Sequence, residues 1–346
     1  MPEFRRWTIM ALKMSDIAEM AGVSKTAVSL ALNGRDGISK ETREKIMAVV
    51  KEAGYTRQRK RRTPSKRLLG AVTFLVVTTP AVVRDNYRAL PFFSSLISSL
   101  SANVAEFGGT LNTVTIDATH LREGLQQLDS EDQLGGTMVL ATDLKADQVQ
   151  LIQQQMRHVV FLDTYYEDIT ADFVTMDNYQ GGGIAAQHIL DKGYTDIGYF
   201  ASDKMISNFS GRRQGFRNTL AKQGLRVSND HFYFISPTES DPKGLDMKRL
   251  GASLPEAIFC EDDYIAIRLL KAARAAGMRV PEDLAIMGFD DIYEDTLVTP
   301  ELTTIHVPVE QMANQATYQL QKQISATQWN PQKVLVSTRL VKRNSL

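Results

Sequence analysis

Ser15-Asp16-Ile17-Ala18-Glu19-Met20-Ala21-Gly22-Val23-Ser24-Lys25-Thr26-Ala27-Val28-Ser29-Leu30-Ala31-Leu32 reads as two short helices about a tight turn, and it decides the fold of what surrounds it. Gly22-Val23-Ser24 interrupts the apolar pattern: Gly tolerates the backbone angles that end a helix, and Ser24 can cap the next one. Ile17, Ala18 and Ala21 before the turn, and Val28, Ala31 and Leu32 after it, recur at spacings of three and four, so each helix has one inward stripe. A third helix is expected after Ser39, an N-cap with Glu41 in its first turn. Ile46, Val49, Val50 and Ala53 then close a small shared core.

The other face of the second helix is informative. At about 100° per residue, Thr26 and Leu30 lie roughly 200° from Val28 and are expected to face solvent, with Lys25 at the N-terminal end. A major groove accepts such a helix: Lys donates to guanine, Thr to a base or phosphate, and Leu meets a thymine methyl. A three-helix domain with a merely solvated face fits the same periodicity, and charge weighs against it. The chain of 346 residues carries 40 basic and 40 acidic side chains, but residues 1–67 hold 16 Lys and Arg against 7 Asp and Glu, net +9. The remainder holds 24 against 33, net −9. A basic head on an acidic body suits a phosphate-binding domain fused to a regulatory one.

Residues 1–13 have no clear period and are expected to form a flexible arm, with Met10 and Met14 as alternative starts. Residues 14–56 form the predicted helix-turn-helix head. Residues 57–67 contain seven Lys and Arg and Pro64, which disrupts a helix interior, so this stretch is predicted to be a linker that tracks phosphates. From 68 to 346 the pattern becomes βαβ. Strands are expected at 69–77, 111–116, 136–141, 159–162, 173–176, 197–200, 257–260 and 284–287, with a helix over 91–107. Such an order predicts an α/β body of parallel sheets covered by helices on both faces, and so many strands predict two lobes.

Ligands in such sheets sit beyond the carboxyl ends of the strands. There stand Asp163, then Asp177 and Asn178, then Glu261, Asp262 and Asp263, with Phe92, Phe93, Tyr165 and Tyr166 as aromatic surface for a sugar or a base. For any single carboxylate, helix cap and ligand contact fit equally well, and their convergence at one sheet edge favours a pocket. Gly181-Gly182-Gly183 lacks the spacing of a phosphate-binding loop and is read as close helix packing. No GxSxG, HExxH or zinc spacing occurs, so neither catalytic residues, cofactor nor metal is expected. Cys260 is the sole cysteine and is expected to be buried in a strand. No apolar run reaches the ~20 residues that span a bilayer, and no signal peptide is evident, so a cytoplasmic protein is expected.

These residues resemble the LacI/GalR family of bacterial transcription regulators over nearly the whole chain. The resemblance rests on 15–34 with Ser39-x-x-Thr42-Arg43 and Gly54-Tyr55, then on Pro91-Phe92-Phe93, Asp177-Asn178, Gly215-Phe216, Val280-Pro281-Glu282-Asp283, Gly288-Phe289-Asp290-Asp291 and Leu302-Thr303-Thr304-Ile305. It implies a homodimeric repressor of operator DNA with a periplasmic-binding-protein-like body, which closes two lobes on a small effector, a sugar, and whose chain crosses between them three times. It places Ser24, Lys25, Thr26, Ser29, Leu30, Asn33, Ser39 and Thr42 at DNA-contacting positions, with Lys25, Thr26 and Leu30 reading bases. It places Phe92 and Phe93 for stacking, Asp163 and Asp263 for hydroxyls, and Arg212 for bidentate donation to the effector. Three positions depart from the family: Pro64 stands where a minor-groove Leu is usual, Thr164 where an Arg often follows the aspartate, and Glu261-Asp262-Asp263 in place of an Asn-Asp ending. The alternative expectation is a sugar-binding module that acts through protein contacts.

Overall fold

The computed structural model describes residues 14–32, 36–53, 69–129, 135–238, 245, 247–250 and 254–346. The arm at 1–13, Asn33, and the linker at 57–67 with Pro64 lie outside the described residues. The chain divides into two units, 1–66 and 67–346.

In the first unit α1 (Met14–Ala21), α2 (Lys25–Leu32) and α3 (Lys40–Glu52) bury Ile17, Ala18, Ala21, Val28, Ala31 and Ile46. Gly22 follows α1 with φ of 64°, the left-handed geometry that ends a helix. Both predicted caps form: Ser24 Oγ accepts the Ala27 N–H at 3.2 Å, and Ser39 Oγ accepts the Thr42 N–H at 3.1 Å. With so small a core, caps that contribute about 1 kcal/mol each matter.

The second unit holds two parallel sheets. The first orders β11 (Lys333–Val336), β5 (Asp172–Met176), β4 (Val159–Leu162), β3 (Thr137–Leu140), β1 (Ala71–Thr78) and β2 (Thr110–Asp117). The second orders β7 (Phe232–Ile235), β6 (Ile197–Ser202), β8 (Ala257–Cys260) and β9 (Ala285–Met287). Central strands are apolar throughout because both faces are covered. On β1, Phe74 and Val76 join the core under α4 (Pro91–Glu106) and α10 (Val309–Ser325), while Leu75 and Val77 join that under α5 (Leu121–Asp129) and α6 (Ala146–Gln155). In the second lobe Tyr199 and Phe259 pack toward α7 (Asn178–Asp191) and α8 (Ser207–Lys222), and Ile258 and Cys260 toward α9 (Asp263–Ala275).

The chain crosses between the lobes at three places: from β5 into α7, from β10 (Thr304–His306) into α10, and from β11 into β12 (Arg339–Val341), which pairs antiparallel with β10. All the loops that follow the central strands therefore meet at one seam.

The glycine run belongs to helix packing. A Cβ on Gly182 would lie 2.1 Å from the Arg212 carbonyl oxygen, and one on Gly215 would lie 1.9 Å from that of Tyr179, so α7 and α8 touch backbone to backbone. Gly215→Ala should cost about 1–3 kcal/mol or more, since backbone cannot yield as a flexible side chain can. Gly183→Ala would press on Thr219 Oγ1 at 3.1 Å and touch the Gly215 carbonyl oxygen at an ordinary 3.8 Å, and is expected to cost much less. Urea denaturation of the two variants compares them, and equal losses would contradict this account.

Candidate functional site

Phe92 and Phe93 on the first turn of α4, Asp163 after β4, Asn208 and Arg212 on α8, Asp262 ahead of α9, and Asp290 after β9 line one cavity between the lobes, with Thr142, Phe209, Thr238 and Tyr264 among its other walls. The cavity measures about 40 Å³, room for a few waters and far below the ~300 Å³ of a small-molecule pocket. The lobes are closed directly on one another. The Phe92 N–H donates to Tyr264 Oη at 3.2 Å, Asn208 Nδ2 donates to Asp163 Oδ1 at 2.8 Å, and the hydroxyls of Thr164 and Ser207 lie 3.1 Å apart. A ligand that enters must part the lobes and replace these bonds.

Arg212 is clamped at the floor. Its Nε donates to Asn178 Oδ1 at 2.9 Å, its Nη1 to the Glu261 carbonyl at 2.5 Å and its Nη2 to Asp290 Oδ1 at 3.3 Å, while its guanidinium lies 3.7 Å from the Phe289 ring centroid. The neighbouring Arg213 pairs with the fully buried Glu261 and leaves the cavity to Arg212.

Asp163 accepts from Thr142 Oγ1 at 2.6 Å, and burial raises its carboxyl from 3.8 to about 6 against the opposing pull of Thr142, Arg212 and Asn208. Asp262 caps α9 by accepting the Ile265 N–H at 2.7 Å, yet burial lifts it to about 7. Burial also carries Asp290 well above the carboxylate range, with Arg212 opposing and Asp263, Asp262 and Asp163 adding to the rise.

Of the five residues expected to contact an effector, four line the cavity and Asp263 does not. Its carboxylate turns back into the second lobe, where it accepts from Thr304 Oγ1 at 2.7 Å and from the Asp291 N–H at 2.7 Å. It sits so close to Gly288 that a Cβ there would lie 2.0 Å from Asp263 Oδ1. The cause is helix geometry: Asp262 is the cap and stays at the strand end, whereas Asp263 is already the first helical residue. Asp262 takes the cavity position given to Asp263. Asp290 and Asn208 were also not assigned. Asp290 had a signal in the Gly288-Phe289-Asp290-Asp291 quartet, and Asn208 had none.

Three of the four non-glycine residues with positive φ among the described residues are Asp163 (63°), Asp290 (129°) and Asp291 (61°). Such conformations cost on the order of 1–3 kcal/mol each and persist where surroundings over-determine them, as at binding sites. Asp291 accepts from Arg343 Nη2 at 2.5 Å and lies 2.8 Å from His306 Nδ1, beside the second crossing.

In the head, Ser24, Lys25, Thr26 and Ser39 are exposed, and Ser29 and Thr42 are half-buried. Ser39 Oγ and Thr42 Oγ1 lie 2.8 Å apart at the N-terminus of α3. Leu30 departs from the solvent-facing position expected: it is half-buried, with Cδ1 3.2 Å from where a Cβ on Gly37 would lie. Arg43, unassigned from the sequence, donates through Nη1 to the Leu30 and Ala31 carbonyls, each at 3.4 Å, and closes the C-terminal end of α2.

Comparison with known proteins agrees with both units. The family described as bacterial regulatory proteins, lacI family, matches residues 13–58, and the periplasmic binding protein-like domain matches 186–346. The ribose operon repressor of Haemophilus influenzae is 28% identical over 340 residues, 96% of this chain and 98% of that protein. The transcriptional regulator DegA of Bacillus subtilis is 26% identical over 336 residues, 95% and 96% of the two chains. Among solved structures, the transcriptional regulator CelR in complex with cellobiose has a TM-score of 0.69 at 23% identity over 96% of this chain and 99% of its own. The lac repressor dimer bound to operator has 0.68 at 18% over 97% and 99%.

Proposed function

The chain belongs to the LacI family of bacterial regulatory proteins, and from that premise we propose that it is a homodimeric repressor of operator DNA whose affinity is set by a small hydroxylated effector held between its lobes. The observation that carries the DNA-binding part is the head itself. Lys25 and Thr26 stand exposed at the start of α2, capped by Ser24, and Ser39 is exposed at the N-terminus of α3. A recognition helix reads base edges with its N-terminal residues, and a helix N-terminus accepts a phosphate.

Lys25 and Thr26 are assigned to base reading, with Leu30 reaching a base only by its exposed part. Ser24, Ser29, Asn33, Ser39 and Thr42 are assigned to the phosphate backbone. Selection from a randomised duplex pool, followed by mobility shifts, tests this. Lys25→Ala should relax preference at particular base pairs by about 1–3 kcal/mol per half-site, whereas Ser39→Ala should weaken all sequences alike. An absence of any sequence preference, with and without candidate effectors, would sink the proposal.

The dimer part is supported by Tyr293 and Leu297, large apolar side chains 72% and 63% exposed near one turn of the second lobe. Tyr293 borders a groove of about 660 Å³ that Ser94, Ser95, Ser98 and Ser99 of α4 line on the other side. Two heads supply the half-site geometry that one small head lacks. Tyr293→Asp combined with Leu297→Asp should shift sedimentation from dimer to monomer. The effector part rests on the seam of polar and aromatic residues, and an effector can switch operator affinity only as far as it prefers one lobe arrangement.

A further inference from the structure

We propose that the cleft selects a ligand bearing a protonated amine on a small hydroxylated ring, the chemistry of an amino sugar, over the neutral sugar of the same size. This rests on the cleft being the effector site. Among the described residues, the charged side chains that line the cavity are Asp163, Asp262, Asp290 and Arg212. All three nitrogens of that guanidinium already donate within the protein, and its carboxylate partner among the described residues is Asp290. Asp163 and Asp262 form no ion pair among the described residues.

Polar valence is open in the same place. Thr238 lines the cavity, is 8% exposed, and its Oγ1 has no hydrogen-bond partner among the described residues. Among the described residues, Asp262 and Asp290 each accept a hydrogen bond through Oδ1. Carboxylates accept and do not donate when ionised, so a neutral hydroxyl ligand leaves Asp163, Asp262 and Asp290 to be neutralised by protons or by Arg212 and Arg268 in a closed, poorly solvated space. An ammonium offers three N–H donors with a positive charge, and charge-assisted bonds of this kind are the strong ones. The rings of Phe92, Phe93 and Phe209 give the apolar wall on which a ring's C–H face packs and near which a cation is favoured.

Calorimetric titration of the full-length protein near neutral pH, with a panel of aminated pentoses and hexoses beside their hydroxyl and N-acetyl counterparts, tests the inference. At least one aminated sugar should bind about tenfold or more tightly than both counterparts. Asp262→Asn, which keeps a side chain able to cap α9, should cut that ratio about fivefold or more. A neutral sugar that binds as tightly as its amine overturns the inference and leaves the effector site standing, as does a ratio unchanged in Asp262→Asn. Binding of no member of the panel overturns both. The ratio in the unaltered protein decides by itself where the variant does not fold.

Discussion

Arg212→Met lowers the stability of the body by about 3–5 kcal/mol near neutral pH, and by clearly less near pH 5. The side chain is 4% exposed and stacks at 3.7 Å on Phe289, a contact that Met largely preserves. What Met cannot preserve is the charge. Removal leaves Asp290 buried without its partner, strips the Glu261 carbonyl and Asn178 Oδ1 of their donors, and takes a guanidinium from a cavity that also holds Asp163 and Asp262. Breaking a buried pair costs more than the pair contributes, because the abandoned charge remains buried. A carboxyl escapes that cost by taking up a proton. Arg212 holds Asp163, Asp262 and Asp290 down against burial, so in the variant all three titrate higher, and its loss costs less in mild acid, where Asp163 and Asp262 already carry protons. Urea denaturation at the two pH values checks the expectation, and an equal loss at both would reduce Arg212 to a packing role.

Much of the fold was legible because central strands and helices announce themselves by period. The strands expected at 159–162 and 257–260 coincide with β4 and β8, and those at 173–176 and 284–287 differ from β5 and β9 by one residue. The strands that escaped notice are β7, β10, β11 and β12. β11 is an edge strand in which exposed and half-buried residues alternate, and β10 and β12 are three residues long, so none of these three presents the continuous apolar run that marks a strand covered on both faces, whereas β7, at the edge of the second sheet, is such a run, Phe232–Ile235, and was legible. In the site, residue types were legible and directions were not. Glu261, Asp262 and Asp263 are adjacent acids, yet one binds Arg213, one lines the cleft and one anchors the loop at 291–292. A one-residue shift across a strand-to-helix junction rotates a side chain from cavity to core, and composition does not record it. Asn208 was invisible because its role depends on a lobe-to-lobe approach.

The body should lose stability as pH rises from about 4 to about 8, and Asp262→Asn should remove part of that loss. Burial raises Asp163 from 3.8 to about 6 and Asp262 from 3.8 to about 7, so the folded state holds these protons more tightly than the unfolded chain does. Their contribution is fully present below the unfolded value and disappears as pH climbs through the folded ones. Three pK units correspond to about 4 kcal/mol, a ceiling here, because parted lobes let water reach the carboxylate before the body unfolds. Asp283, held down to about 2 by Arg279, works in the opposite direction but is spent below pH 4. Asn at 262 keeps the bond to the Ile265 N–H and has no proton to lose. The variant's advantage over the parent in urea midpoint should therefore grow from pH 5 to pH 8, and a constant difference would place the effect in packing instead. The same charges bear on control of the lobes. Ionised Asp163 and Asp262 favour an open, hydrated cleft, and whatever neutralises them favours the closed one, so the cationic effector proposed above would gain its leverage from their mutual repulsion.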